Sequence, residues 1–200
     1  MRALLLALLC LAAARVSGEP APLADGQAIR GQFQQLRQMQ GFTNPVRSEG
    51  HFLLVPGRGL IWTTDRPFLV TTVLTPEGLV QNAGGNGSFK IGAANLPMLT
   101  RLYAMMSAAL AGNWRALETD FAITHDSAGK HERFRLTPLR ADPSGGMLPR
   151  QITITVGRFV EKVDIERSGG DSDHLSFSNQ TLGDAALQRS EVEDFSSAEP

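Results

Sequence analysis

The sequence predicts an α+β fold built on an antiparallel β-meander, and three observations point there. The stretch Gly50 to Pro67, GHFLLVPGRGLIWTTDRP, holds two runs of strand-forming residues, Phe52–Val55 and Leu60–Thr64, around Pro56-Gly57-Arg58-Gly59, which is the composition of a hairpin. Further runs of the same kind follow at separations too short for a crossover helix, so neighbouring strands must run antiparallel. Two other stretches carry apolar residues at helical spacing, enough to cover a sheet.

In chain order, Met1-Arg2, an uncharged apolar run from Ala3 to Ala14 and the small residues Ser17-Gly18 read as a cleavable secretory signal over 1–18. The run is shorter than the ~20 residues a membrane-spanning helix needs. Cys10, the only cysteine, follows Leu8-Leu9 inside this run, a poor setting for lipid attachment, and leaves with the signal. The remaining chain then has neither a disulfide nor a thiolate metal site, and its stability must come from burial. Residues 19–187 are expected to form one domain and 188–200 a loose, acidic tail. Loss of Arg2 and Arg15 takes Lys+Arg from 19 to 17 against 20 Asp+Glu, a formal charge of −3. That balance gives no ground for nucleic acid or an anionic membrane surface as a partner.

After the leader, Asp25 is placed to cap a helix whose apolar positions Ile29, Phe33, Leu36 and Met39 recur at three and four residues, with Gly41 as its stop. Strands are expected over Val46–Val55, Leu60–Thr64, Phe68–Leu74 and Leu79–Gln81, with turns at Pro56-Gly57-Arg58-Gly59, Asp65-Arg66-Pro67 and Thr75-Pro76-Glu77-Gly78. In the first run neither alternate set of side chains is polar, so both faces of the sheet need a cover there, either protein or something apolar that the protein carries. The Gly84-Gly85-Asn86-Gly87 loop lacks the Gly-Lys-Ser/Thr ending of a phosphate-binding loop.

Asn95-Leu96-Pro97 opens a second helix that runs to about Ala111. Leu99, Leu102, Tyr103, Met106 and Leu110 form one stripe, and Met98, Met105 and several alanines extend it around most of the circumference. A helix this apolar is either buried on two sides or covers a cavity, and methionine suits a surface that repacks around varied guests. A short helix over 113–118 brings Trp114 and Leu117 toward the same core. Strands return at Phe121–His125, Glu132–Leu139, Gln151–Val156, Val160–Glu166 and Leu175–Phe177.

The four histidines, His51, His125, His131 and His174, never occur at the spacing of a helical zinc pair, and there is no Gly-x-Ser-x-Gly elbow. The acidic residues at Glu161–Glu166 and Asp171–Asp173 read as wet faces and turns. No metal, cofactor or enzymatic activity is expected.

In order along the chain, Gly31-Gln32-Phe33-Gln34-Gln35, Gly50-x-Phe52, Gly59-Leu60-Ile61-Trp62 and Arg66-Pro67-Phe68 resemble the periplasmic outer-membrane lipoprotein carrier family, the LolA-like proteins. The resemblance continues through Thr75-Pro76-Glu77-Gly78-Leu79, the apolar central helix, Phe134-Arg135-Leu136-Thr137-Pro138 and Ile152-Thr153-Ile154. It implies an incomplete antiparallel β-barrel with a helical lid over an apolar cavity, located in the periplasm. It further implies a monomer that carries an acylated lipoprotein or lipid from an inner-membrane exporter to an outer-membrane acceptor. The residues expected to line the cavity are Phe33, Phe52, Leu54, Leu60, Trp62, Phe68, Leu99, Leu102, Met105 and Met106. Members of that family place an arginine six residues before the strand tryptophan to latch the lid; Pro56 stands there, and Arg58 is the substitute candidate. The alternative is a periplasmic sensor or scaffold that uses the same half-barrel to bind a protein.

Overall fold

The computed structural model describes residues 23, 24, 26–84, 88–92, 105–140 and 149–198. Its strands are β1 (Gln27–Gln38), β2 (Val46–Val55), β3 (Gly59–Arg66), β4 (Val70–Leu74), β5 (Gly78–Asn82), β6 (Ser88–Gly92), β7 (Phe121–Ala128), β8 (His131–Pro138), β9 (Pro149–Val156), β10 (Val160–Arg167) and β11 (Ser172–Asp184). The helices are α1 (residues 105–110), α2 (Trp114–Leu117) and α3 (Arg189–Ala198).

All 11 strands join one antiparallel sheet in the order β6-β5-β4-β3-β2-β1-β11-β10-β9-β8-β7, with β6 and β7 as unpaired edges. The sheet is therefore not closed. Strands β6 and β7 are consecutive in the chain yet lie at opposite edges, and the described part of the segment between them, with α1 and α2, packs on one face of the sheet. On that face Ala108 and Leu110 of α1 and Trp114 and Leu117 of α2 are buried with Leu54 and Leu60 of one half and Phe134 and Leu136 of the other. The residues of α2 turn helical after Asn113, whose side-chain oxygen accepts the Ala116 N–H at 3.3 Å, as a cap should.

The meander from Val46 to Gln81 forms at the places its turn residues predict. Two expectations are corrected. The stretch following Asp25 is the 12-residue strand β1, not a helix. Ile29 and Phe33 are four residues apart, a spacing that satisfies a two-residue period as well as a helical one, and pairing with β2 and β11 on either side supplies the backbone partners that decide for strand. Opposite Gly31, strand β11 carries an extra residue, a bulge that includes Asn179 at φ 51°.

The end of the chain is not a loose tail: residues 189–198 form α3, with Phe195 and Ala198 buried. Gln188 stands at its start, its carbonyl accepting the Val192 N–H at 3.0 Å, and Glu191 accepts the Gln188 N–H at 2.7 Å, one half of a capping box. The signal reading over 1–18 and the helix expected from Asn95 to 104 lie outside the described residues. Among the described residues no helix is long and apolar enough to cross a membrane.

Candidate functional site

Pairing registers sort the hairpin's side chains. Ile29 faces Leu54 and Leu54 faces Leu60, while Gly31 faces Phe52 and Phe52 faces Trp62, so these alternate residues share the concave side of the sheet with Phe33. There Phe33 stacks on Trp62 with ring centroids 3.8 Å apart, and Phe177 of β11 meets Phe52 edge-on at 5.6 Å and Trp62 at 6.1 Å. Gly31 makes room for this group, because a Cβ there would lie 2.7 Å from the Phe52 ring. Met105 and Met106 are half-buried against the same cluster. Of the expected cavity residues, Phe33, Phe52, Leu54, Leu60, Trp62, Met105 and Met106 are thus brought together.

Phe68 is not: it stands 77% exposed in the β3–β4 turn, beyond the paired residues that turn their side chains inward. Leu99 and Leu102 lie outside the described residues. Phe177, which completes the aromatic group, was missed, although the alternation through Leu175 and Phe177 announced an inward face.

The other set of hairpin side chains, Leu53, Val55 and Ile61, joins Val73 and Val80 on the convex side, and α3 covers them with Phe195 and Ala198. Phe195 is 1% exposed. This answers which covering the second face has: the protein's own C-terminal helix. Arg30 ties the helix down through a two-pronged contact with Glu191 at 2.9 and 3.3 Å and a bond to the Ala186 carbonyl at 3.0 Å. Arg58 sits on this convex side too, its guanidinium 5.0 Å from the centre of the Phe195 ring. It has that partner in place of the inward latch expected of it; a two-residue shift from Pro56 keeps the side chain's face, but Arg58 belongs to the turn, beyond the last paired residue of β2.

An apolar pocket of about 160 Å³ opens where the end of α1 meets the sheet, lined by Leu23, Leu110, Ala111, Val156, Phe159 and Val160 among others, with Arg158 at its edge. It lies at the end of the concave side near Ile29 rather than under the Phe33–Trp62 stack. Trp114, stacked on Phe134 at 4.0 Å, buries an indole N–H that has no acceptor among the described residues. An orphaned donor of this kind costs about 1–3 kcal/mol.

Polar chemistry lies elsewhere. Each histidine meets a carboxylate on another strand: His51 with Asp65 at 3.1 Å, His131 with Glu161 at 3.2 Å, His174 with Asp164 at 2.8 Å, and His125 with Glu132. All four pairs are solvent-exposed cross-strand contacts, and no cluster of three metal-ligating side chains occurs among the described residues. Asp173 departs from its expected wet setting. It is 2% exposed, gripped by Arg167 at 2.8 and 3.2 Å and by the Gln35 amide at 2.9 Å, at the far end of the concave side. On α3, burial and then the neighbouring Glu193 and Glu191 push the Asp194 carboxyl above the usual aspartate range.

A family model described as outer membrane lipoprotein carrier protein LolA-like matches residues 20–198. No curated protein sequence matches significantly. Among solved structures, a LolA superfamily protein from Nitrosomonas europaea is similar at 11% identity and TM-score 0.43, over 84% of this chain and 90% of that one. A DUF1329 family protein from Desulfovibrio piger is similar at 9% identity and TM-score 0.41, over 82% and 88%. The Pseudomonas aeruginosa MucA/MucB complex contains a chain similar at 11% identity and TM-score 0.35; the match covers 82% of this chain and 54% of that one.

Proposed function

The chain belongs to the LolA-like family of outer membrane lipoprotein carriers, and from that premise we propose that it is a non-catalytic periplasmic carrier, exported by a cleaved signal, that shields the acyl chains of a lipoprotein or related lipid between the two membranes. The inner-membrane exporter and the outer-membrane acceptor are the donor and receiver this role requires. An acyl chain of a dozen methylenes costs on the order of 10 kcal/mol to expose to water, so its transit needs a cover.

The observation that supports this reading is the open apolar pocket of about 160 Å³ beside α1. At about 30 Å³ for each methylene-sized group it holds five or six, roughly half of such a chain. The rest is accommodated by displacement of Met105 and Met106, which are half-buried and adaptable.

The test is native mass spectrometry and solvent extraction of protein purified from the periplasm without detergent. Bound acyl chains are expected, and their loss in Ala111→Trp, which fills the pocket from its wall. A protein that is always empty, or one stoichiometrically bound to another protein and free of lipid, overturns the carrier in favour of a scaffold.

A further inference from the structure

We infer that the end of the sheet carrying the β1–β2 and β3–β4 turns is a docking face for an anionic phospholipid bilayer. In an antiparallel meander alternate turns emerge at the same end, and β2 and β3 are neighbours, so these two turns lie side by side. Both display apolar side chains outward: Phe42 is 62% exposed, Phe68 77% and Leu69 56%. The exposure of Phe42 is built in. The Gln38 side-chain amide donates to the carbonyls of Met39 at 3.2 Å and Phe42 at 2.6 Å, while the Phe42 N–H bonds the Met39 carbonyl at 3.1 Å, closing an ordered turn with the phenyl group outside it.

Between the two turns is an open hollow of about 710 Å³ lined by Arg47, Ser48, Glu49, Arg66 and Pro67. Arg47 and Arg66 reach opposite oxygens of Glu49 at 3.5 and 3.3 Å, so one carboxylate serves two guanidiniums whose side chains are 60% and 80% exposed. Of the other acids toward this end, Asp65 meets His51 at 3.1 Å and Asp171 accepts the Gln40 N–H at 2.8 Å. A hollow with surplus guanidinium donors, flanked by phenyl groups on fixed turns, matches the interfacial region of a bilayer: phosphate in the hollow, rings among the first methylenes. The lining of the hollow carries two guanidiniums against one carboxylate, a difference that the acidic balance of the whole chain does not reveal. A docking face of this kind places the carrier on the surface where cargo is collected or released, and it does not require the pocket.

The experiment is flotation of the full chain with vesicles of phosphatidylcholine alone and with about one third phosphatidylglycerol. Binding to the anionic vesicles is expected, falling with added salt. Phe42→Ser with Phe68→Ser should weaken it at least tenfold. Arg47→Gln with Arg66→Gln should weaken it roughly fivefold per arginine and abolish the preference for anionic lipid. All four positions are exposed, so thermal midpoints within about 2 °C of the parent confirm that the variants are folded. Absence of binding by the parent chain, or binding unchanged in both variants, overturns the proposal. So does a self-association that the phenylalanine variant abolishes, which would make the face an interface between copies. Because the vesicles carry no cargo, failure here leaves the carrier reading standing, and an empty pocket leaves this result standing.

Discussion

Replacing Phe195 by alanine should cost about 4 kcal/mol of folding stability. The ring is 1% exposed and packs on Leu53, Val55, Ile61, Val73 and Val80. A buried phenylalanine removes about 150–250 Å² from water, which at ~25 cal/mol per Å² gives roughly 4–6 kcal/mol as an upper bound. Truncations of buried phenylalanine cost about 3–5 kcal/mol. The stacked Arg58 guanidinium loses its ring, worth about 0.5–1 kcal/mol at an exposed site. Gly59 reinforces the point, because a Cβ there would lie 2.7 Å from the Phe195 ring; the sheet is shaped to receive it. In urea unfolding with a slope of about 2.5 kcal/mol per M, the midpoint should fall by roughly 1.6 M. Val192→Ala, on the exposed side of α3, should move it by less than about 0.2 M. If Phe195→Ala shifts the midpoint by under about 0.4 M and the amides of α3 exchange as slowly as before, α3 is not the cover of the convex face.

Asp173→Ala should cost about 2–3 kcal/mol, since it removes the buried carboxylate that holds the part-exposed Arg167 guanidinium and the Gln35 amide; a loss below about 1 kcal/mol in chemical denaturation would contradict the burial of that carboxylate. Asp194 has a folded-state pKa above its unfolded value, so the native state holds the proton more tightly and stability falls as pH rises through the ordinary aspartate range and just above it, then stays level. Asp194→Asn should remove this fall and be the more stable protein at neutral pH but not at about pH 3; parallel thermal midpoints for the two proteins over that range would refute it.

The strands from Val46 to Gln81 were legible because each is bounded by turn residues and alternates or is apolar on both sides. β1 was misread because Ile29 and Phe33 fit two periods, and only the pairing partners, distant in the chain, separate them. α3 was missed for a related reason. Its own sequence is polar apart from Val192 and Phe195, and its stability comes from a patch more than 100 positions earlier. The clue lay in the hairpin: Leu53, Val55 and Ile61 demanded a cover, and the sequence did not say which segment would supply it. The aromatic residues of the concave side were legible as an alternation, whereas the place of the pocket depends on how the end of α1 meets β9 and β10. Asp173 was hidden because burial of a carboxylate depends on Arg167 and Gln35 converging on it in space.

The carrier role requires room for a hydrocarbon guest in the interior at the end of α1. It is tested most directly by methyl-resolved NMR of the protein titrated with an N-acylated peptide against the same peptide without its acyl chain. Saturable shifts centred on Leu23, Leu110, Val156 and Val160, seen only with the acylated peptide, are the predicted result. Identical spectra with both peptides, or shifts confined to the outer surface, would contradict it.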